Sequence, residues 1–154
     1  MAMRRLAEAP QPGAGEEGLG RLLLRVVREM RTTFDRNLEQ VGLTGQQAEI
    51  LFRCGRAGEL TPKQLTNLLV TDNAGVTRLV DRLEAKGLVT RHASASDRRS
   101  VTVRLTRSGT ALVPRVRRLA HAQRRHIFAG LSATEQKQMR GLLHRILDNV
   151  GPAE

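Results

Sequence analysis

The stretch SASDRRSVTVRLT, residues 94–106, sets two adjacent arginines, Arg98 and Arg99, beside a single acid, Asp97. Val101, Val103 and Leu105 follow at alternate positions, the period of a strand with one buried face. A preceding apolar run, LVTRH at 88–92, supplies the other arm of a hairpin, so the arginines fall at its tip. A guanidinium on a thin hairpin suits a narrow, strongly negative furrow such as the minor groove of duplex DNA. Asp97 could hold Arg99, or the hairpin backbone, in a presenting geometry, and Ser94, Ser96 and Ser100 are of the type that bonds phosphate oxygens. The competing reading is a solvated hairpin with unpaired surface charge.

Other chemistries find little support in the residues. The chain has no Gly-rich phosphate loop, no G-x-S-x-G turn and no paired carboxylates in an apolar setting, so an enzyme is not expected. His121 and His126 lie five apart and therefore on different faces of a helix, unlike the i, i+4 pair that chelates well. No metal and no cofactor is expected. The single cysteine, Cys54, cannot form an intrachain disulfide and fits a reducing compartment. It is expected to be buried and inert.

Charge narrows the partners. Lys and Arg number 26 against 15 Asp and Glu, giving +11, and 23 of the 26 are arginine. Such an excess favours a polyanion, either nucleic acid or an anionic membrane surface, although a genome rich in Arg codons would contribute to it. Placement decides between these. Five arginines (91, 98, 99, 104 and 107) and one acid lie between Gly87 and Arg107. No stretch reaches the roughly 18 apolar residues of a membrane span, and the basic start lacks the apolar run of a signal peptide. A cytoplasmic protein is the expectation.

The elements that must position the hairpin are legible from spacing. Leu23, Val27, Met30, Phe34, Leu38 and Val41 make one face of a long helix that Gly42 ends. Thr44 with Gln47, Thr61 with Gln64, and Ser132 with Glu135 each have the spacing of a capping box, marking three further helix starts. The helix after Thr44 should run to about Cys54. The one after Thr61 is short, with Pro62 at its first position. After a break of about three residues, Val76, Leu79, Val80 and Leu83 form a buried stripe. Gly87 supplies a left-handed stop with Leu88 beyond it. Ala74, Thr77, Arg78, Asp81 and Arg82 lie opposite that stripe. Two short helices joined tightly, the second with a polar outer face, make a helix-turn-helix candidate. The order is four helices, a hairpin and two helices.

LTPKQLTNLLVTDNAGVTRLVDRLEAKGLVTRHASASDRRSVTVRLTRSG resembles the DNA-binding region of the MarR (multiple antibiotic resistance regulator) family of bacterial transcription regulators. VTRLVDRLEAKGLVTR at 76–91, the D-x-R of Asp97–Arg99 and VTVRLTRSG at 101–109 carry the likeness, which extends over roughly residues 20–150. The resemblance implies a mainly α fold with a small β-hairpin: a winged helix-turn-helix with N- and C-terminal dimerisation helices. Residues 1–18, rich in Ala, Pro, Gly and Glu, read as a flexible tail, and on the likeness 19–42 and 108–150 form the dimerisation helices and 43–107 the DNA-binding lobe. It implies a homodimer on a pseudo-palindromic operator, acting as a repressor rather than an activator. A non-specific architectural DNA-binding protein is the alternative.

The likeness also distributes roles. The helix from about Thr71 to Lys86 would read the major groove, with Asn73, Ala74, Thr77 and Arg78 facing bases or nearby phosphates. Arg82 is either a phosphate contact or a partner of Asp81. Lys63 and Gln64 either touch the DNA backbone or serve only to start their helix. Asp97 and Arg99 would be the wing pair, with Ser96 and Arg98 beside them. Family members respond to small aromatic acids, oxidants or metals, so a small-molecule effector is expected. The chain has no Trp, no Tyr and three Phe; an aromatic pocket would rely on Phe34, Phe52 or Phe128 with aliphatics. Phe34 and Phe52 are the candidates, though Phe34 on the apolar stripe reads first as core.

Overall fold

The computed structural model describes residues 17–69, 71–93 and 101–151. In chain order these are α1 (Leu19–Leu38), a 3-10 turn (Glu39–Val41), α2 (Gly45–Ala57), β1 (Glu59–Leu60), α3 (Pro62–Leu69), α4 (Asn73–Ala85), β2 (Val89–Ala93), β3 (Val101–Leu105), α5 (Arg107–Ile127) and α6 (Ala133–Val150). Side-chain caps start α3, α4, α5 and α6, at Thr61, Asp72, Thr106 and Ser132. Two compact units emerge, Met1–Gly45 and Gln46–Glu154. No described helix is long and apolar enough to cross a membrane.

In the first unit, α1 stops at Leu38, four residues before Gly42, and the 3-10 turn fills the gap. Gly42 then takes φ +67°, the left-handed region a glycine enters without steric cost. Leu38 and Leu43 are buried, whereas Leu19 and Leu24 near the start of α1 are 78% and 74% exposed. Glu17 pairs with Arg25 at 3.1 Å, so the expected tail is tied to the helix at its last residues. Its residues 1–16 lie outside the described part of the chain.

In the second unit the core is built from Ile50, Leu51 and Cys54 of α2, Leu65 of α3, the full stripe Val76, Leu79, Val80 and Leu83 of α4, Val89 and Val103 of the sheet, and Val113 and Val116 of α5. The helix α2 runs past Cys54 to Ala57. Gly55 does not stop it because its bare Cα lies against Leu105 and Val113; an added Cβ would be 3.3 Å from the Leu105 side chain. The stop is Gly58, at φ +83° with its N–H donating to the Cys54 carbonyl at 2.8 Å. Burial pushes the Cys54 thiol up to about 11, so it stays protonated.

The sheet has one strand more than the hairpin. Strands β2 and β3 pair antiparallel from Val89 opposite Leu105 to Ala93 opposite Val101. The two-residue β1 adds itself to the other edge of β3, Glu59 facing Arg104 and Leu60 facing Val103, giving the order β1-β3-β2. At the end of α4 the Leu88 N–H bonds the Leu83 carbonyl and the Gly87 N–H bonds the Glu84 carbonyl, with Gly87 at φ +65°. This is a Schellman stop.

The start of α5 is locked to that same stop. Thr106 caps the helix by accepting from the Gly109 N–H at 3.0 Å, while its hydroxyl donates to the Gly87 carbonyl at 2.7 Å. Gly109 is required by proximity: a Cβ there would sit 2.0 Å from the Leu88 carbonyl oxygen. From this anchor α5 runs through Pro114 to Ile127. The helix α6 opens on a complete capping box, Ser132 with Glu135, and has no buried residue.

Candidate nucleic-acid interface

The interface begins with two helix starts. At α3, the Thr61 N–H donates to Gln64 Oε1 at 2.8 Å and the Gln64 N–H donates to Thr61 Oγ1 at 3.2 Å. The Gln64 amide oxygen is therefore engaged in starting the helix, while Lys63 beside it is exposed. At α4, Asp72 accepts from the Gly75 N–H at 2.6 Å. Between the two helices, the Thr66 hydroxyl bonds Asn73 Oδ1 at 2.9 Å and so braces the turn. Asn73 is thus both exposed and part of the joint.

With its apolar stripe fully committed to the core, α4 presents Asn73, Ala74, Thr77, Arg78, Asp81 and Arg82 to solvent. The Thr77 hydroxyl donates to the Asn73 carbonyl at 2.9 Å, which leaves its methyl and lone pairs facing outward. Among the described residues neither Arg78 nor Arg82 has a carboxylate within ion-pair distance. Both instead line a small polar pocket of about 190 Å³ with Gln46, Thr71, Gly75 and Leu79. Gln46 and Thr71 were not singled out by sequence. Gln46 sits in the first turn of α2, and only the packing of α2 beside α4 brings it there.

The arginines counted around the hairpin divide into two kinds. Arg91 on β2 pairs with Asp81 at 2.6 Å and Glu84 at 2.5 Å, both on α4. Among the described residues the ion-pair partner of Asp81 is Arg91 on the neighbouring strand, not the adjacent Arg82. Adjacent residues on a helix do not face each other, whereas Asp81 and Glu84, three apart, do share a face. Arg104 on β3 pairs with Glu59 on β1, and its guanidinium holds the Glu59 carboxyl below the usual carboxylate range. Two of the five arginines therefore hold the lobe together. Arg107, at the first position of α5, is exposed. Ser96, Asp97, Arg98 and Arg99 lie outside the described residues.

The aromatic candidates for an effector fall apart in the fold. Phe34 is half-buried in the first unit, where its ring lies against Gly45. Phe52 is half-buried on α2 in the second unit. The larger concavity, about 770 Å³, is a groove beside α6 with Phe128, Met139, Leu143 and Leu147 along it and Arg124, Arg125 and Arg140 at its rim. It lies between the end of α5 and α6 and shares no residue with the polar pocket on α4.

Comparison with known proteins gives a consistent answer. The family model described as MarR family matches residues 41–100, the span from the turn before α2 to the residue before β3. Among solved structures, a variant of MarR from E. coli complexed with operator DNA is 30% identical, covering 84% of this chain and 93% of its own, with a TM-score of 0.78. The S. aureus MepR–DNA complex is 28% identical, covering 88% of this chain and 100% of its own, with a TM-score of 0.80. BpsR of Bordetella bronchiseptica, whose DNA binding is regulated by 6-hydroxynicotinic acid, is 27% identical, covering 90% of this chain and 99% of its own, at 0.76. A mainly helical chain with a three-stranded sheet, a capped helix pair and this degree of likeness over nearly whole lengths belongs to the MarR family.

Proposed function

We propose that this chain is a sequence-specific DNA-binding transcription regulator that acts as a homodimer and represses by occupying its operator. One observation carries the reading. The whole apolar stripe of α4 is buried, while its opposite face holds Thr77 with Arg78 and Arg82, two arginines that have no carboxylate partner among the described residues. With 26 Lys and Arg against 15 Asp and Glu many arginines stay unpaired; these two stand out by place, on the outward face of the capped helix beside Thr77, where phosphates and base edges can reach them. Arginine bonds guanine through O6 and N7, and the Thr77 methyl and hydroxyl suit a thymine methyl or an amino donor. Arg99 enters the adjoining minor groove. MarR and MepR relatives solved on DNA support this assignment.

Dimerisation is supported by apolar surface with no partner within the chain. Met139, Leu142, Leu143, Ile146, Leu147 and Val150 of α6 are all exposed, and so are several leucines and valines of α1. So many large apolar side chains left open on one helix are rare on a monomer. Pairing α1 and α6 with their copies in a second subunit buries it. Two α4 helices then enter successive major grooves roughly 34–36 Å apart. The regulator works in the cytoplasm, where it meets the nucleoid DNA. By analogy with BpsR, a small-molecule effector releases the DNA by favouring a dimer whose helix spacing no longer fits.

Competition binding tests the reading. A specific regulator prefers its operator over random duplex by a factor on the order of 10³–10⁷. Near-equal affinities would instead mark an architectural binder driven by net charge. Arg99→Ala should weaken binding and lower the slope of log affinity against log salt by about 0.9. An unchanged slope with unchanged affinity would remove Arg99 from the interface.

A further inference from the structure

The helix offered to DNA carries two acids, Asp81 and Glu84, whose field opposes an approaching phosphate backbone. Asp81 follows Arg78 by three residues, on the exposed side of α4. Both carboxylates are turned onto one side chain. Arg91 Nη2 lies 2.6 Å from Asp81 Oδ1, Arg91 Nη1 lies 2.5 Å from Glu84 Oε2, and the Arg91 backbone N–H donates to Glu84 Oε1 at 3.2 Å. Arg91 sits at the middle of β2, opposite Val103, and β2 is the sheet's outer strand on that side. An outer strand has N–H groups with no strand to bond, and Glu84 satisfies one of them. Three hydrogen bonds therefore join the middle of the outer strand to the last two turns of α4. The Arg91 side chain is 29% exposed, so this tie is only partly open to water.

We propose that Arg91 is a positioning residue for DNA binding: by bridging Asp81 and Glu84 it fixes the β2–β3 arm relative to α4, and so the separation at which helix and hairpin meet neighbouring grooves. The proposal rests on the DNA-binding reading. A planar guanidinium reaches two carboxylates with separate N–H groups at fixed angles, which a lysine ammonium on a flexible stem does not. Pre-setting the two reading elements spares their ordering on the DNA, the general route by which rigidity raises affinity. The Arg91 guanidinium offsets part of the acids' charge on this helix.

The sign of one effect separates positioning from electrostatics. Asp81→Asn with Glu84→Gln removes two negative charges from the DNA-facing helix. Field effects alone would tighten operator binding. Loss of the bridge should instead weaken it, by about five- to ten-fold at fixed salt, the size expected for two partly screened ion pairs acting together. Arg91→Lys, which keeps the charge, should show the same weakening. The single variant Glu84→Gln serves if the double variant unfolds. In parallel, spin labels at Ala85→Cys and Val101→Cys report the distance from α4 to β3 in the free protein. A narrow distribution in the parent and a broader one without the carboxylates is expected. Equal widths, or binding that is unchanged or tighter, would overturn the proposal. If the parent protein bound no duplex at all, the DNA-binding reading would fail instead, and the label distances would still decide whether the bridge sets the arm.

Discussion

Arg78→Ala isolates the recognition face of α4. The side chain is exposed and, among the described residues, has no carboxylate within ion-pair distance, so its removal strands no buried charge. Alanine is also the better helix former. Thermal stability should therefore change by no more than about 0.5 kcal/mol, or within about 2 °C for a chain of this size. The whole effect should fall on DNA. A bidentate contact to a base is worth about 1–3 kcal/mol, roughly 5- to 150-fold in affinity for the preferred sequence. The loss should vanish for duplexes altered at the base it reads. A phosphate contact would instead lower affinity for every sequence alike and reduce the salt slope by about 0.9. Fluorescence anisotropy against the preferred duplex and its single-base variants, at several salt concentrations, separates the two. Unchanged affinity, preference and slope would refute the assignment of this face. A melting temperature lowered by many degrees would show that Arg78 serves the fold instead.

Three further outcomes follow from the packing. Gly109→Ala places a Cβ where the Leu88 carbonyl oxygen lies 2.0 Å away, so it should destabilise by about 3 kcal/mol or more and lower the melting temperature by roughly 6–12 °C; a melt within 2 °C of the parent would contradict the close approach. Leu147→Asp, at a position 59% exposed, should leave a lone subunit nearly unaffected but dissociate a dimer that covers it, and sedimentation velocity distinguishes these results. The Cys54 thiol, raised from 9.0 to about 11, keeps its proton in the folded state at a pH where the unfolded chain loses it. Its contribution is complete below about pH 9 and is lost as pH rises toward about 11. Cys54→Ala should flatten that part of the stability profile, and the native thiol should resist disulfide reagents until the protein unfolds.

Features fixed within a few residues were readable directly. The boxes at Thr61–Gln64 and Ser132–Glu135 close as their spacing demands, and Gly87 ends α4 with Leu88 bonding back to Leu83. The apolar stripe of α4 is buried residue for residue. What escaped depends on distant partners. Two residues, Glu59 and Leu60, show no periodicity; they become a strand only because β3 offers an edge more than 40 residues later. Gly55 looks like a helix stop but is a packing glycine, and the stop falls at Gly58. The spacing that places Gln47 at the start of α2 does not show that it is buried, nor that its amide oxygen accepts from Lys86, 39 residues on, at 3.0 Å. The same limit applies to the interface. The outward residues of α4 follow from helical periodicity, whereas the pairing of Arg91 with Asp81 and Glu84 needs the strand to turn back beside the helix. A count of arginines therefore overstates the charge free to meet DNA, because Arg91 and Arg104 are already neutralised.

The central claim is that two copies of one capped helix read two grooves of a single duplex. Selecting bound sequences from a random duplex pool addresses it directly. The account predicts an enriched inverted repeat whose half-site centres lie about 10–10.5 base pairs apart, or a multiple of that. A pool that yields no enriched sequence, or one half-site without its mirror image, would contradict it.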